Sequence, residues 1–130
     1  MRTNLCEKYV TLGLNRDGGM AEYVAVPTST LVKIPDGLSL DAAGIAQPLA
    51  VGLHAARRAG VRDGDKVLLI GSGAIGTFVL AGIKKLYEAE VTVLDFGGSR
   101  LERAARLGAD HTVEVGDNAE AEIKKVFGES

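Results

Sequence analysis

Cys6 is the only thiol in the 130-residue chain. One cysteine cannot close an internal disulfide or supply a four-ligand zinc site. A cationic surplus is missing too. Fifteen Lys and Arg stand against 17 Asp and Glu, for a formal net charge of −2, so nothing points to nucleic acid or an anionic membrane surface as a partner. The one basic cluster, Arg57, Arg58 and Arg62, runs straight into Asp63 and Asp65 and reads as a solvated helix end, where cations are favoured. Long apolar runs are absent. No stretch approaches the roughly eighteen apolar residues of a membrane span, and Met1-Arg2-Thr3-Asn4-Leu5 has no apolar signal core. These absences lead to the expectation of a soluble, cytoplasmic protein. What is present, 46% hydrophobic and 25% charged residues, is ordinary globular composition, and the length suits one domain, or a small domain with a leading arm.

The chain shows no internal repeat. Residues 1–38 are turn-rich. Asp17-Gly18-Gly19 and Pro35-Asp36-Gly37 signal turns, while Tyr23–Val26 and Leu31–Ile34 read as two short strands separated by Pro27. Residues 39–130 follow a different pattern. Ser39 or Asp41 can cap a helix running towards Ala59, with Pro48 setting its first turns apart and Gly60 stopping it. Val67–Ile70 is a continuous apolar run of the kind found in a parallel strand covered on both faces. Ile75, Phe78, Val79, Gly82, Ile83 and Leu86 then recur at helical spacing. Val91–Leu94 is a second strand, Leu101 to Gly108 a second amphipathic segment, and His111–Val115 a third strand. Ala119–Phe127 is a last helix with Glu120 and Lys124 paired at i,i+4. The alternation predicts an α/β fold: half of a Rossmann doubly wound parallel sheet, β-α-β-α-β-α, preceded by a short β-rich arm.

One motif carries chemistry. Gly71-Ser72-Gly73-Ala74-Ile75-Gly76 is a GxGxxG that follows an apolar strand and opens a helix, and Asp95 ends the next strand about twenty residues on. Alone, such a motif is weak in a chain with 17 glycines; the context strengthens it. Gly71 allows the tight turn, Gly73 lets a pyrophosphate approach the backbone, and Gly76 lets helix and strand pack closely. The helix N-terminus offers free N–H groups and a positive dipole end to phosphate. Asp95 can accept from the adenosine ribose hydroxyls, and its charge repels a 2′-phosphate, so NAD is expected over NADP. Phe96 lies beside it. Arg100 complicates the preference, since it could reach a 2′-phosphate, but it is expected in the first turn of the next helix or over the adenine. In the competing view these glycines only shape a turn. Ser72 is read as part of the phosphate loop rather than as a nucleophile, and His54 and His111 as structural or surface residues.

With those residues placed, the chain resembles the zinc-dependent medium-chain dehydrogenases, nearest the polyol branch. Asn4-Leu5-Cys6 resembles the end of that family's structural-zinc lobe, Asp17–Val24 the strand re-entering its catalytic domain, Val32–Ser39 the link into its cofactor domain, Gln47–Gly52 its Glu-Pro-Leu segment, and Leu107–His111 a later signature. The resemblance implies an NAD-linked alcohol or polyol oxidoreductase. It also implies a departure. The family's catalytic zinc ligands and the partners of Cys6 would precede this chain, and Gln47 stands where a glutamate lies near zinc. No catalytic residue and no metal ligand is therefore assigned, and zinc is not expected.

Three readings stay open: a dinucleotide-binding module without turnover, an enzyme completed by an oligomer or a partner that supplies the zinc lobe, and an assembly element whose loop is idle. The strand Val67–Ile70 would be central in a full sheet. Its free edge is expected to be covered by the arm, by another protomer or by a swapped segment, making a homo-oligomer.

Overall fold

The computed structural model describes residues 5–128. The chain divides into two compact units, the first reaching Gly37 and the second beginning at Leu38.

Among its described residues the first unit is not β-rich. Tyr23–Val26 and Leu31–Ile34 form no ladder; an isolated bridge joins Leu12 to Arg16, and a 3-10 turn covers Thr28–Thr30. The chain closes on itself ahead of the expected turn. Gly13 N–H donates to Arg16 O at 2.8 Å, and Asn15 Oδ1 accepts from Thr11 N–H at 3.0 Å. A strand is stabilised by its partner rather than by its own propensity, and Tyr23 and Val32 lie open to solvent.

The second unit opens with α1 (Leu40–Gly44), capped by Ser39 Oγ, which accepts from Ala42 N–H at 3.1 Å. Helix α2 (Ala46–Ala59) follows after Ile45. The first turns are thus set apart from the rest, as Pro48 implies, with the break at Ile45. The proline ring cannot accept the carbonyl of Gly44 four residues back, yet at the third position of a new helix its missing N–H is no loss. Gly60 ends α2 as anticipated.

Strands β1 (Lys66–Ile70), β2 (Glu90–Asp95) and β3 (His111–Glu114) alternate with α3 (Ala74–Leu86), α4 (Ser99–Arg106) and α5 (Ala119–Phe127). The sheet is parallel in the order β1-β2-β3, with Lys66 opposite Glu90 and Thr92 opposite His111. Each element lies within a residue or two of its sequence position. Val91 and Val93 on one sheet face pack with Leu80 and Ile83 of α3, Ala56 of α2 and Ala104 of α4; burying a side chain such as Leu80 or Ile83 contributes about 1.5–3 kcal/mol. Leu68 points the other way and meets Ile123 and Phe127 of α5 around a cavity of about 200 Å³.

Helices α2 and α3 cross at backbone contact. A Cβ on Gly52 would stand 2.6 Å from Phe78 O, and one on Gly82 would stand 2.9 Å from Leu53 Cδ2. Asp110 braces the start of β2 by accepting from Val91 N–H at 2.6 Å and from Lys84 Nζ at 2.9 Å. Burial pushes its carboxyl upward, but the Val91 hydrogen bond and Lys84 outweigh this and hold it below the ordinary carboxylate value. The expected Glu120–Lys124 pair forms at 2.7 Å on the surface. Ile70, at the end of β1 on the outer margin of the sheet, is 73% exposed.

Candidate functional site

The carboxyl ends of β1 and β2 bring the glycine loop and Asp95 together. Gly71 takes φ +89°, a conformation few side chains tolerate, and its N–H donates to Leu94 O at 2.8 Å, binding the turn to β2. Gly76 sits against Gly71, and any Cβ on it would collide with the Gly71 carbonyl oxygen. Ala74 and Ile75 start α3 behind Gly73, and no side chain caps that helix. Its first N–H groups are therefore available to an anion. Nothing lies within 4 Å of where a Gly73 Cβ would stand, which leaves space against the backbone for a ligand.

Asp95 is tied into this loop. Its Oδ2 accepts from Ser72 N–H at 2.6 Å and from Ser72 Oγ at 3.0 Å; its Oδ1 accepts from Phe96 N–H at 2.7 Å and from Arg100 Nη1 at 3.4 Å. The side chain is only 2% exposed. The backbone donors of Ser72 and Phe96, helped by the Ser72 hydroxyl and Arg100, outweigh burial and lower its pKa from 3.8 to about 2. The carboxylate is thus ionised at neutral pH. Phe96 is 81% exposed next to it, and Arg100 occupies the first turn of α4.

The sequence brought Asp95 to the glycine loop but missed how it is used there. Ser72 is fully buried and gripped on every polar group: Asp95 takes its N–H and hydroxyl, while its carbonyl accepts from Thr77 Oγ1 at 3.2 Å and Arg103 Nη2 at 3.3 Å. No sequence signal marks contacts that span 23 or 31 residues. A concavity of about 720 Å³ lies elsewhere, at the amino ends of β2 and β3 around Glu90, His111 and Glu122. There His111 Nε2 is 2.8 Å from Glu90 Oε1. His54 is a surface residue of α2. Among the described residues no three His, Cys, Asp or Glu side chains converge on a point, and Cys6 is exposed.

The parallel β-α-β order, with a glycine turn opening α3, defines a Rossmann-type α/β unit. Over the segment it spans, the chain is homologous to the zinc-type alcohol and sorbitol dehydrogenases, an oxidoreductase family. It is 37% identical over 126 residues to an uncharacterized zinc-type alcohol dehydrogenase-like protein of Haemophilus influenzae, covering 96% of this chain and 36% of that protein. It is 39% identical over 113 residues to sorbitol dehydrogenase of Ovis aries, covering 86% of this chain and 32% of the relative. Among solved structures, a short chain alcohol dehydrogenase of Escherichia coli complexed with NADH superposes with a TM-score of 0.87 at 29% identity, covering 96% of this chain and 37% of the other. The chain thus spans about a third of the length of such relatives. No protein-family model matches it. No helix among the described residues is long and apolar enough to cross a membrane.

Proposed function

We propose that this chain binds a nicotinamide dinucleotide and prefers NAD to NADP. The pyrophosphate lies at the N-terminus of α3, against Gly71, Ser72, Gly73, Ala74, Ile75 and Gly76. The adenosine ribose lies at Asp95, with Phe96 and Arg100 flanking the adenosine. The observation that carries this reading is the uncapped start of α3, open at Gly73, beside an ionised carboxylate at the end of the neighbouring strand. The NADH-bound relative supports the same cofactor class. A negative Asp95 opposes a 2′-phosphate, whereas a ribose hydroxyl can replace Arg100 on Oδ1, the longest of its hydrogen bonds. Catalysis by these residues alone is not part of the proposal, because they bring no group to polarise a substrate carbonyl. Calorimetric titration tests the reading: heat with NAD, weaker heat with NADP, and loss of both in Gly73→Val. No heat and no thermal shift at millimolar NAD would end it and favour an idle loop.

The homology favours a second reading, in which these residues form the cofactor half of an alcohol or polyol dehydrogenase whose zinc and substrate groups come from another chain in an oligomer, from a partner protein or from further sequence. Zinc in the purified assembly and alcohol-dependent NADH formation would establish it; neither would return the chain to a pure binding module. Under either reading a cytoplasmic setting is proposed, and the exposed margin of β1 is the proposed route of self-association. A monomer in sedimentation at low micromolar concentration would remove that last element.

A further inference from the structure

The peptide leading into α3 is held in part by a side chain from a different helix. Arg103 reaches from α4 to donate to Ser72 O at 3.3 Å, and Thr77 Oγ1 donates to the same oxygen at 3.2 Å. Ser72 O and Gly73 N–H belong to one peptide group. That group is planar and trans, so its C=O and N–H point in opposite directions. Holding the oxygen towards Arg103 and Thr77 therefore aims the Gly73 N–H the other way. On the preceding peptide, Asp95 holds Ser72 N–H at 2.6 Å. Both peptide planes flanking Ser72 are thus fixed from outside the loop, one by β2 and one by α3 and α4. Gly73 has no Cβ to restrict its own backbone, so the restraint must come from these contacts.

We propose that Arg103 is a positioning residue for the dinucleotide loop, holding the Ser72–Gly73 peptide so that the Gly73 N–H is oriented for an anionic phosphate before ligand arrives. This rests on the dinucleotide-binding reading above and deepens it. Arg103 acts through the peptide and need not touch the ligand. Loss of one such hydrogen bond corresponds to a change of about threefold to tenfold in affinity. The effect belongs to ligands that carry phosphate and not to adenosine alone.

The test is calorimetry on the full chain with NAD, ADP and adenosine, for wild type, Arg103→Ala, Arg103→Lys and Arg106→Ala. Arg106 is an exposed arginine in the last turn of the same helix and controls for helix charge. Arg103→Ala should weaken NAD and ADP about threefold to tenfold, leave adenosine unchanged and keep its deficit in roughly 0.5 M salt, since a short contact is screened far less than a distant charge. Arg103→Lys should recover part of the loss, and Arg106→Ala should match wild type. In the ligand-free protein, the Gly73 amide resonance should shift in Arg103→Ala. Wild-type affinity in a folded Arg103→Ala, or a deficit that vanishes in salt, would overturn the role of Arg103 while leaving dinucleotide binding intact. No heat from wild type with NAD would overturn dinucleotide binding and this role with it.

Discussion

Replacing Gly52 by alanine isolates the contact that sets α3 in place. The added Cβ would stand 2.6 Å from Phe78 O and 2.8 Å from Val79 N. Both are backbone atoms of α3, so no side-chain rotation relieves the clash, and the helices must move apart by several tenths of an ångström. That strains a contact lying directly over the buried Ala56, Leu80 and Ile83. Overpacking of this kind costs about 1–3 kcal/mol, and the better helix propensity of alanine returns up to about 1 kcal/mol. The net expectation is a loss of about 1–2 kcal/mol. For a unit of this size, that lowers the thermal midpoint by about 5–15 °C. Gly44, in α1, provides the internal control, because nothing lies within 4 Å of where its Cβ would stand. Gly44→Ala should retain the propensity gain alone and raise the midpoint by a few degrees. Thermal unfolding followed by far-ultraviolet circular dichroism measures both. A Gly52→Ala protein as stable as wild type would refute the close-crossing argument, and a destabilised Gly44→Ala would refute the control.

Acid should act through Asp95. Its folded pKa, about 2, lies below the ordinary 3.8, so the unfolded chain binds the proton first as pH falls. The stabilisation is complete above about pH 4 and is lost as pH drops through about 2; the stability gap between wild type and Asp95→Asn, followed by urea midpoints, should narrow across that window, and a gap independent of pH would contradict it. Asp110→Ala removes the acceptor for the N–H of fully buried Val91 and should cost about 1–3 kcal/mol; an unchanged urea midpoint would show that the bracket contributes nothing.

The repeating half of the fold was legible because each of its elements carries its own pattern. Val67–Ile70 is apolar throughout, Ile75 to Leu86 recurs at helical spacing, and Gly60 and Gly108 punctuate the ends. The arm was not legible. Tyr23–Val26 and Leu31–Ile34 have strand-forming residues, but strand formation requires a partner, and the chain turns back instead at Gly13 with Leu12 and Arg16. The break in the first helical stretch was legible from Pro48, because a proline excludes the carbonyl four residues behind it while fitting a helix that has just begun. In the candidate site, Gly71, Gly73, Gly76 and Asp95 could be named from spacing alone. Thr77 and Arg103 could not, since nothing local distinguishes a threonine or arginine on a helix that will reach a particular carbonyl.

By itself, the sequence determined the order of elements, the glycine turn at the start of α3, and the acidic residue at the end of β2. Those features follow from periodicity and from backbone conformations that only certain residues permit, both of which act over a few neighbouring positions. The tertiary structure alone decided that Asp95 is closed onto Ser72, that Arg103 and Thr77 share the Ser72 carbonyl, and that Gly52 marks the crossing of α2 and α3. These depend on distances of a few ångströms between residues far apart in the chain, and such distances exist only once the sheet and helices have packed.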